Sequence, residues 1–562
     1  MLHHIPLRQK IITMLAVMCG LFLVALDQTI VSTALSSIVE EFNSFSSLSW
    51  VVTAYLLGNT ITVPIAGKLS DLFGRRIVLM VGVAIFTITS FFSGSAADIN
   101  QLIIARAVQG IGGGIIMANA FTIVGDLFSP RERGRWQGLI GAVFAISSVV
   151  GPLLGGFLTD HHAVFGLMTS WRWNFWLNVP IGILAFIFIA KYCPRIRHDH
   201  KPAIDYLGAG TLAVALSSLI LAVDNTDKIF ASLIADGASL GAIKASLYAI
   251  AAVFGAAFVW LETRAEEPII PLHFFKNRTF RTVMIVALLF GAAFLGAIIY
   301  LTQFNMQVFG VTATDAGLML LPMVGGLTLT SALTGILVTK TGKYKRFFVG
   351  GLALATISVF TLTTLTPTSP YWHEAIIMAL VGIGLGTGMP IMNLAVQNEF
   401  EQKHLGAATA SSQLFRGLGS TVGVAVLGAM LTAGVTSHLG SINDDPYIQR
   451  IKSQPEAAKV LGDGSANTVL NLNTKDARDK ISAGLADKLD QSAMPAAAKQ
   501  QIKQQFQADQ DNFSEKVSGA FSKSLRPIFD VSAALMAVAT VVSLGVKEKP
   551  LRGRPDDTPG AE

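Results

Sequence analysis

Apolar residues along this chain come in long runs, separated by short turns rich in charge and glycine. A helix rises about 1.5 Å per residue, so ~20 apolar residues cross the hydrocarbon layer of a bilayer. Windows of that kind fall near 10–35, 48–69, 76–97, 100–126, 135–158, 174–193, 205–224, 241–262, 282–304, 315–338, 345–366, 374–398, 405–437 and 525–546. The pattern predicts an all-α integral membrane protein with about fourteen membrane-spanning helices. The first run could be mistaken for a secretory signal, since Arg8 and Lys10 precede it. It is long, no small-residue cleavage site closes it, and it leads straight into Asp27. It reads as a retained first span.

Charge orients the spans. Short loops rich in Lys and Arg stay on the cytoplasmic side. Under this count that side holds Lys68, Arg75, Arg76, Arg131, Arg133, Arg135, Lys191, Arg195, Arg197, Lys201, Lys276, Arg278, Arg281, Lys340, Lys343, Lys345 and Arg346. The opposite loops near 37–47, 97–100, 305–314 and 367–373 hold no Lys or Arg. An even number of spans follows, with both termini in the cytoplasm and the protein in the cell membrane, plasma or inner. Only 14% of the 562 residues are charged and 52% are hydrophobic, whereas a soluble domain carries roughly 25% charged residues. The net charge of +6 is spread over these loops, which argues against nucleic acid as a partner. Cys19 and Cys193 show no metal-ligand spacing and predict neither zinc nor a structural disulfide.

A weak repeat divides the chain. Gly67 and Gly74 stand at one basic turn, and Gly335 and Gly342 stand with the same spacing at another. Thr339 occupies the second copy's counterpart of Asp71. Parallel repeats suit a transporter with its substrate site between two halves, near the midplane. The expected organisation is a six-helix bundle over 1–204, two linker spans over 205–264 and a second six-helix bundle over 265–546. A cytoplasmic tail, 547–562, follows. Residues 438–524 interrupt the second bundle with a polar segment on the outer side. Ile502, Phe506, Phe513, Val517 and Phe521 recur at four- and seven-residue spacing, so the part after Pro495 predicts an amphipathic helix running into the last span. An insertion of this kind can also be without a role, because long loops tolerate extra residues cheaply.

A few polar residues inside apolar runs carry the candidate chemistry. Asp27 lies within Leu26-Asp27-Gln28-Thr29-Ile30-Val31. Carboxylates in a membrane helix are costly and usually functional. Burial favours the neutral form of a carboxyl group and a nearby cation favours the ionised one, so such a group can exchange a proton as its surroundings change. Arg106 begins Arg106-Ala107-Val108-Gln109-Gly110-Ile111-Gly112 near the outer start of the fourth run, at a depth similar to Asp27, and is the candidate counter-charge. The alternatives are an Asp27 that only bonds a neighbouring helix and an Arg106 that binds carbonyls or snorkels outward. Asp71 with Arg75, Arg76 and Asp126 suits a latch that closes in one state and opens in another. Simple cytoplasmic anchoring would need the same charges. Gly141, Gly151, Pro152, Gly155 and Gly156 let a helix approach the fifth run closely, and Pro152 lets that run bend. Arg416 and Asp530 are further intramembrane charges without an assigned role.

Gly110-Ile111-Gly112-Gly113-Gly114 lacks the strand before it and the Gly-Lys-Ser/Thr after it that a phosphate loop needs. His161-His162 has no nearby ligand partners. No cofactor and no enzymatic activity are expected.

Taken together, Leu26–Leu35, Gly67–Arg76, Leu102–Gly114, Gly141–Gly156 and the run Trp171–Gly182 resemble the fourteen-span drug:proton antiporters of the major facilitator superfamily. The resemblance covers roughly 10–437 and the last span. It implies a monomeric secondary exporter of hydrophobic or amphipathic compounds, driven by the proton gradient through alternating access. It assigns proton coupling to Asp27, the proton relay to Arg106, and the exporter motif to Gly151-Pro152. The segment 438–524 departs from ordinary drug exporters. In placement it resembles the outward extensions of members that export lipids or glycolipids, and Phe506, Phe513 and Phe521 would suit an acyl chain or a partner protein. A membrane receptor or scaffold without transport is the remaining alternative.

Overall fold

The computed structural model describes residues 5–42, 48–159, 163–164, 167–194, 204–223, 226–439, 445–452, 469–470, 472–492 and 494–551. His161, His162, Arg195, Arg197, Lys201 and the tail beyond residue 551 lie outside the described residues, as do the side chains of Arg131 and Pro152. Among the described residues, fourteen helices are long and apolar enough to cross a membrane. Spans 1–6 are Leu7–Val31, Trp50–Phe73, Arg75–Gly94, Ile99–Leu127, Glu132–Thr159 and Trp173–Tyr192. Spans 7 and 8 are Tyr206–Val223 and Leu240–Glu262. Spans 9–14 are Arg278–Val308, Leu321–Thr341, Lys345–Thr364, Tyr371–Glu399, Gln402–Leu439 and Ala496–Ser543. A two-residue antiparallel pair, Ala163–Val164 with Leu167–Met168, bridges spans 5 and 6. This is a multi-pass membrane protein. The side bearing the turn at 67–76 is here called the basic face, and the other the far face.

Large apolar side chains such as Ile77, Ile88, Phe92, Ile104 and Val253 point out of the protein. In water they would form an aggregation surface; in a bilayer they meet lipid. Span 4 is the most enclosed, with 83% of its apolar window buried, and span 8 the least, with 11%. Spans 1–6 share one core and spans 9–14 another. Spans 7 and 8 stand outside both and pack against spans 2 and 13 through Leu212, Leu216 and Phe258.

Close helix approach depends on missing side chains. A Cβ on Gly58 of span 2 would strike the Ala107 carbonyl, and one on Gly110 of span 4 would strike the Tyr55 carbonyl. Van der Waals contact is the main force between helices in lipid, so bare backbones are what hold this pair together. Span 5 runs unbroken through Pro152. Its two ends serve different partners. Toward the basic face a Cβ on Gly134, Gly138 or Gly141 would meet span 10, and Ser331 there donates to the Gly138 carbonyl at 3.1 Å. Toward the far face Gly151 faces Thr29 of span 1.

The last helix is far longer than a span. Its 48 residues extend ~72 Å at about 1.5 Å per residue, so more than half lies beyond the bilayer. Helices Pro446–Lys452 and Lys475–Gln491 pack back onto that projecting part. Together they form a far-face subdomain whose apolar interior continues the core of spans 9–14. Phe506, Phe513, Val517 and Phe521 are all buried there, with Tyr447, Ile448 and Ile451. The Tyr447 ring lies 5.4 Å from Phe506 and 5.0 Å from Phe513. The amphipathic pattern is therefore answered within the chain. The phenylalanine face expected to suit an acyl chain or a partner is covered by Tyr447 and its neighbours.

Gln307 ties this subdomain to span 9. It donates to the Leu470 carbonyl at 2.8 Å and accepts from Asn473 Nδ2 at 2.9 Å, while Ser518 donates to its carbonyl at 2.5 Å. Replacing a buried phenylalanine by alanine costs ~3–5 kcal/mol. Phe513→Ala should therefore release the subdomain while leaving the spans folded. Hydrogen exchange along 496–521 checks this: fast exchange there with unchanged protection in spans 2 and 4 is expected, and wild-type protection would contradict the assigned core.

Candidate functional site

Asp27 is fully buried near the far end of span 1. Its Oδ2 accepts from Arg106 Nη1 at 2.5 Å. Its Oδ1 accepts from Gln109 Nε2 at 3.0 Å and from Asn178 Nδ2 at 3.1 Å. Both amides also donate to Ser90 Oγ at 3.1 Å, and Ser90 donates to the Phe175 carbonyl at 2.9 Å. Arg106 donates further to Gln109 Oε1 at 2.8 Å and to the Val51 carbonyl at 3.3 Å. Its guanidinium lies over the Tyr55 ring at 4.3 Å. Every member comes from spans 1–4 or 6. Removing one partner of such a buried pair leaves an uncompensated charge, at a cost of ~3–5 kcal/mol.

Two residues beyond Asp27, Thr29 donates to the Ser147 carbonyl of span 5 at 3.1 Å. A Cβ on Gly151 would overlap that threonine. Asp27 therefore sits one helix away from the glycine face of span 5. Gly155 is buried and its carbonyl accepts from Thr159 at 2.6 Å. Gly156 faces open space.

The second constellation closes the basic face. Arg75 reaches Asp126 Oδ2 from Nε at 2.8 Å and Ser70 from Nη1 at 2.5 Å, and it pairs with Asp71. Asp71 in turn accepts from the backbone N–H of Gly406 at 3.0 Å and of Ala407 at 2.9 Å. Those N–H groups open the helix Leu405–Leu439, where the first turn has no intrahelical acceptors. A carboxylate of spans 1–6 thus caps a helix of the other half. The helix dipole adds to the attraction. Gly67 and Gly406 permit the approach, since a Cβ on Gly67 would meet the Gly406 carbonyl at 2.8 Å. Around this point Gln402 donates to Asp126 at 3.2 Å, Gln137 donates to Gln397 at 2.9 Å, and Lys68 pairs with Glu267 at 2.5 Å.

Not every charge singled out from the sequence joins these groups. Arg76, expected beside Asp71 and Arg75, instead donates to the Ala190 carbonyl at the end of span 6. Arg416 donates to Gln413 at 2.9 Å, and among the described residues no carboxylate pairs with it. Asp530 lies on an exposed face of span 14. The structure adds Gln109, Asn178, Ser90 and Tyr55 to the site. Gln109 has a sequence signal, because three residues after Arg106 it shares a helix face with it. Asn178 lies in the noted run Trp171–Gly182, but Ser90 carries no local signal. Among the described residues no group of three or more His, Cys, Asp or Glu could hold a metal ion.

The family model of the Major Facilitator Superfamily matches residues 17–424, most of this chain and both constellations. The chain belongs to the major facilitator superfamily. It is 37% identical over 439 residues to the multidrug transporter protein MdtP of Bacillus subtilis, covering 78% of each chain. It is also 37% identical over 449 residues to multidrug resistance protein 3 of the same organism, covering 80% of this chain and 84% of that one. Among solved structures, the human organic anion transporter MFSD10 superposes with a TM-score of 0.56 at 16% identity, over 76% of this chain and 94% of that one. That superposition speaks for the major facilitator fold alone.

In this major facilitator chain the capping bond at Asp71 gives a direct prediction. Losing a helix N-cap costs ~0.5–2 kcal/mol, enough for a several-fold shift in a two-state equilibrium. Asp71→Ala should speed alkylation of a cysteine placed at Ala410, which is buried beside Gly67. Unchanged reactivity would mean that Asp71 does not hold this interface.

Proposed function

We propose that the protein is a proton-coupled exporter of hydrophobic or amphipathic compounds, of the multidrug-efflux type. The relatives named multidrug transporter and multidrug resistance protein support the cargo class. The observation that carries the coupling is the fully buried Asp27–Arg106 pair, held by Gln109 and Asn178. An acid there has a counter-charge while ionised and has polar amides while neutral, so both protonation states are tolerated in a water-poor setting.

The basic face is the cytoplasmic one, and both termini lie on that side of the cell membrane. A proton arriving from the far face neutralises Asp27 and frees Arg106 to its other acceptors, Gln109 and the Val51 carbonyl. Span 1 then shifts against span 5 at Thr29, Ser147 and Gly151. The other end of span 5 bears on span 10 at Gly134, Gly138 and Gly141. A rigid helix touching both places is a physical route between the proton site and the contact of the two halves. In this reading the Asp71 latch opens, the proton leaves inward, and cargo loads from the cytoplasmic side. The exporter works as a monomer. A lipid as cargo has lost its main support, since Phe506, Phe513 and Phe521 are buried within the subdomain. A non-transporting receptor leaves the buried charges without a use.

The test is proton flux in everted vesicles holding a proton gradient, with lipophilic cations and lipids added in turn. Addition of a lipophilic cation should dissipate the gradient, and Asp27→Asn should abolish the response while the protein still inserts. Full response in that variant would remove Asp27 from the mechanism, and a response to lipids alone would restore the lipid reading.

A further inference from the structure

The second half holds a buried carboxyl group that no part of the coupling scheme uses. Glu374 lies in the first turn of span 12 at the far face and is fully buried. Across from it, the fully buried Asn305 closes the far end of span 9. With its amide nitrogen turned toward Glu374, Asn305 donates to Oε1 at 2.8 Å and to Oε2 at 3.0 Å. Among the described residues no Lys, Arg or His forms an ion pair with Glu374.

Ionisable groups toward the far face of the second half are engaged elsewhere. Tyr371 donates to the Met319 carbonyl at 2.9 Å, and Tyr300 donates to the Val424 carbonyl at 3.1 Å. Asp315 accepts from Thr312 at 2.8 Å. Arg478 donates to Ser514 at 2.9 Å. His373 precedes Glu374 and is half-buried. Spans 10 and 11 pack against span 12, but their cations Lys340, Lys345 and Arg346 sit at the opposite, basic ends.

With no cation beside it, an ionised carboxylate here depends on Asn305 alone, which poises the group to take up a proton. Asparagine suits that exchange. Its N–H donates to the ionised carboxylate, and, turned over, its carbonyl accepts the O–H of the neutral acid. The far-face loop ends at residue 370, four residues before Glu374, so a proton from that side has a short path. Gln307, two residues past Asn305, pins this end of span 9 to the far-face subdomain and so fixes the asparagine.

We infer that Glu374 is a second proton-binding site, loaded from the far face, so that each half of the protein carries one acid that exchanges a proton. The proton is its ligand, and its movement with cargo rests on the exporter reading above. Two carboxyl groups held by side-chain amides, Asp27 with a cation and Glu374 without one, exchange protons in different conformations.

Two readouts test this with the purified full-length protein. The first is proton release into weakly buffered detergent solution on adding tetraphenylphosphonium, followed with a pH-indicator dye. By linkage, Glu374→Gln and Asp27→Asn should each release about half as many protons as wild type, and the double variant none. Wild-type release from Glu374→Gln would overturn the second site. The second readout needs no cargo: the infrared carbonyl band of a protonated carboxyl group at neutral pH. Glu374→Gln should remove one such band, and an unchanged spectrum would overturn the proposal. If Glu374→Gln does not fold, Glu374→Asp keeps the acid and should shift the band; an unshifted band has the same adverse meaning. A wild-type protein that releases no protons would contradict the exporter reading, while the infrared comparison would still decide whether Glu374 holds a proton.

Discussion

A charge inside a membrane protein must be paired, neutralised or led to water, and this constraint shapes the structure around Asp27. Three other spans contribute to its solution: Arg106 and Gln109 from span 4, Asn178 from span 6 and Ser90 from span 3. Burying Arg106 requires span 4 to be the most enclosed helix, which it is. Enclosure requires span 2 to come close, which the bare backbones at Gly58 and Gly110 permit. The tightest packing in the first half thus follows from the need to keep one ion pair out of lipid.

Span 5 connects that pair to the rest of the protein. One end rests on span 1 beside Asp27, and the other on span 10 across the boundary between halves. Its glycines therefore act as two separate contact faces on one rod. The basic-face closure uses different physics. There Asp71 satisfies backbone N–H groups that a helix end cannot satisfy itself, and Arg75 and Asp126 hold the carboxylate in place. A contact made of a few directional bonds can open without dismantling either core.

The fold was largely legible because membrane spans announce themselves by length and hydropathy, and all fourteen runs became helices. Charge residues in apolar surroundings were equally visible, so Asp27, Arg106, Asp71, Arg75 and Asp126 could be named in advance. Their partners could not. Ser90 and Tyr55 are unexceptional in sequence and matter only because helix packing brings them there. Backbone acceptors and donors, such as the Ala190 carbonyl that takes Arg76 or the N–H groups that cap Asp71, leave no trace in the side-chain pattern. The far-face phenylalanines were misread for a related reason. Periodicity reveals an apolar face but not what covers it, and here Tyr447 comes from a segment about sixty residues earlier in the chain.

The central claim is that the protonation of Asp27 controls the closure at the basic face. Spin labels at Ile77 and Lys403, both exposed and on opposite sides of that closure, report it through their separation once Cys19 and Cys193 are replaced by serine. The account predicts that acidification lengthens the distance in the wild-type background, and that Asp27→Asn shows the longer distance at neutral and acid pH alike. A distance that ignores pH in the wild-type background, or an Asp27→Asn variant that keeps the short distance at neutral pH, would contradict the account.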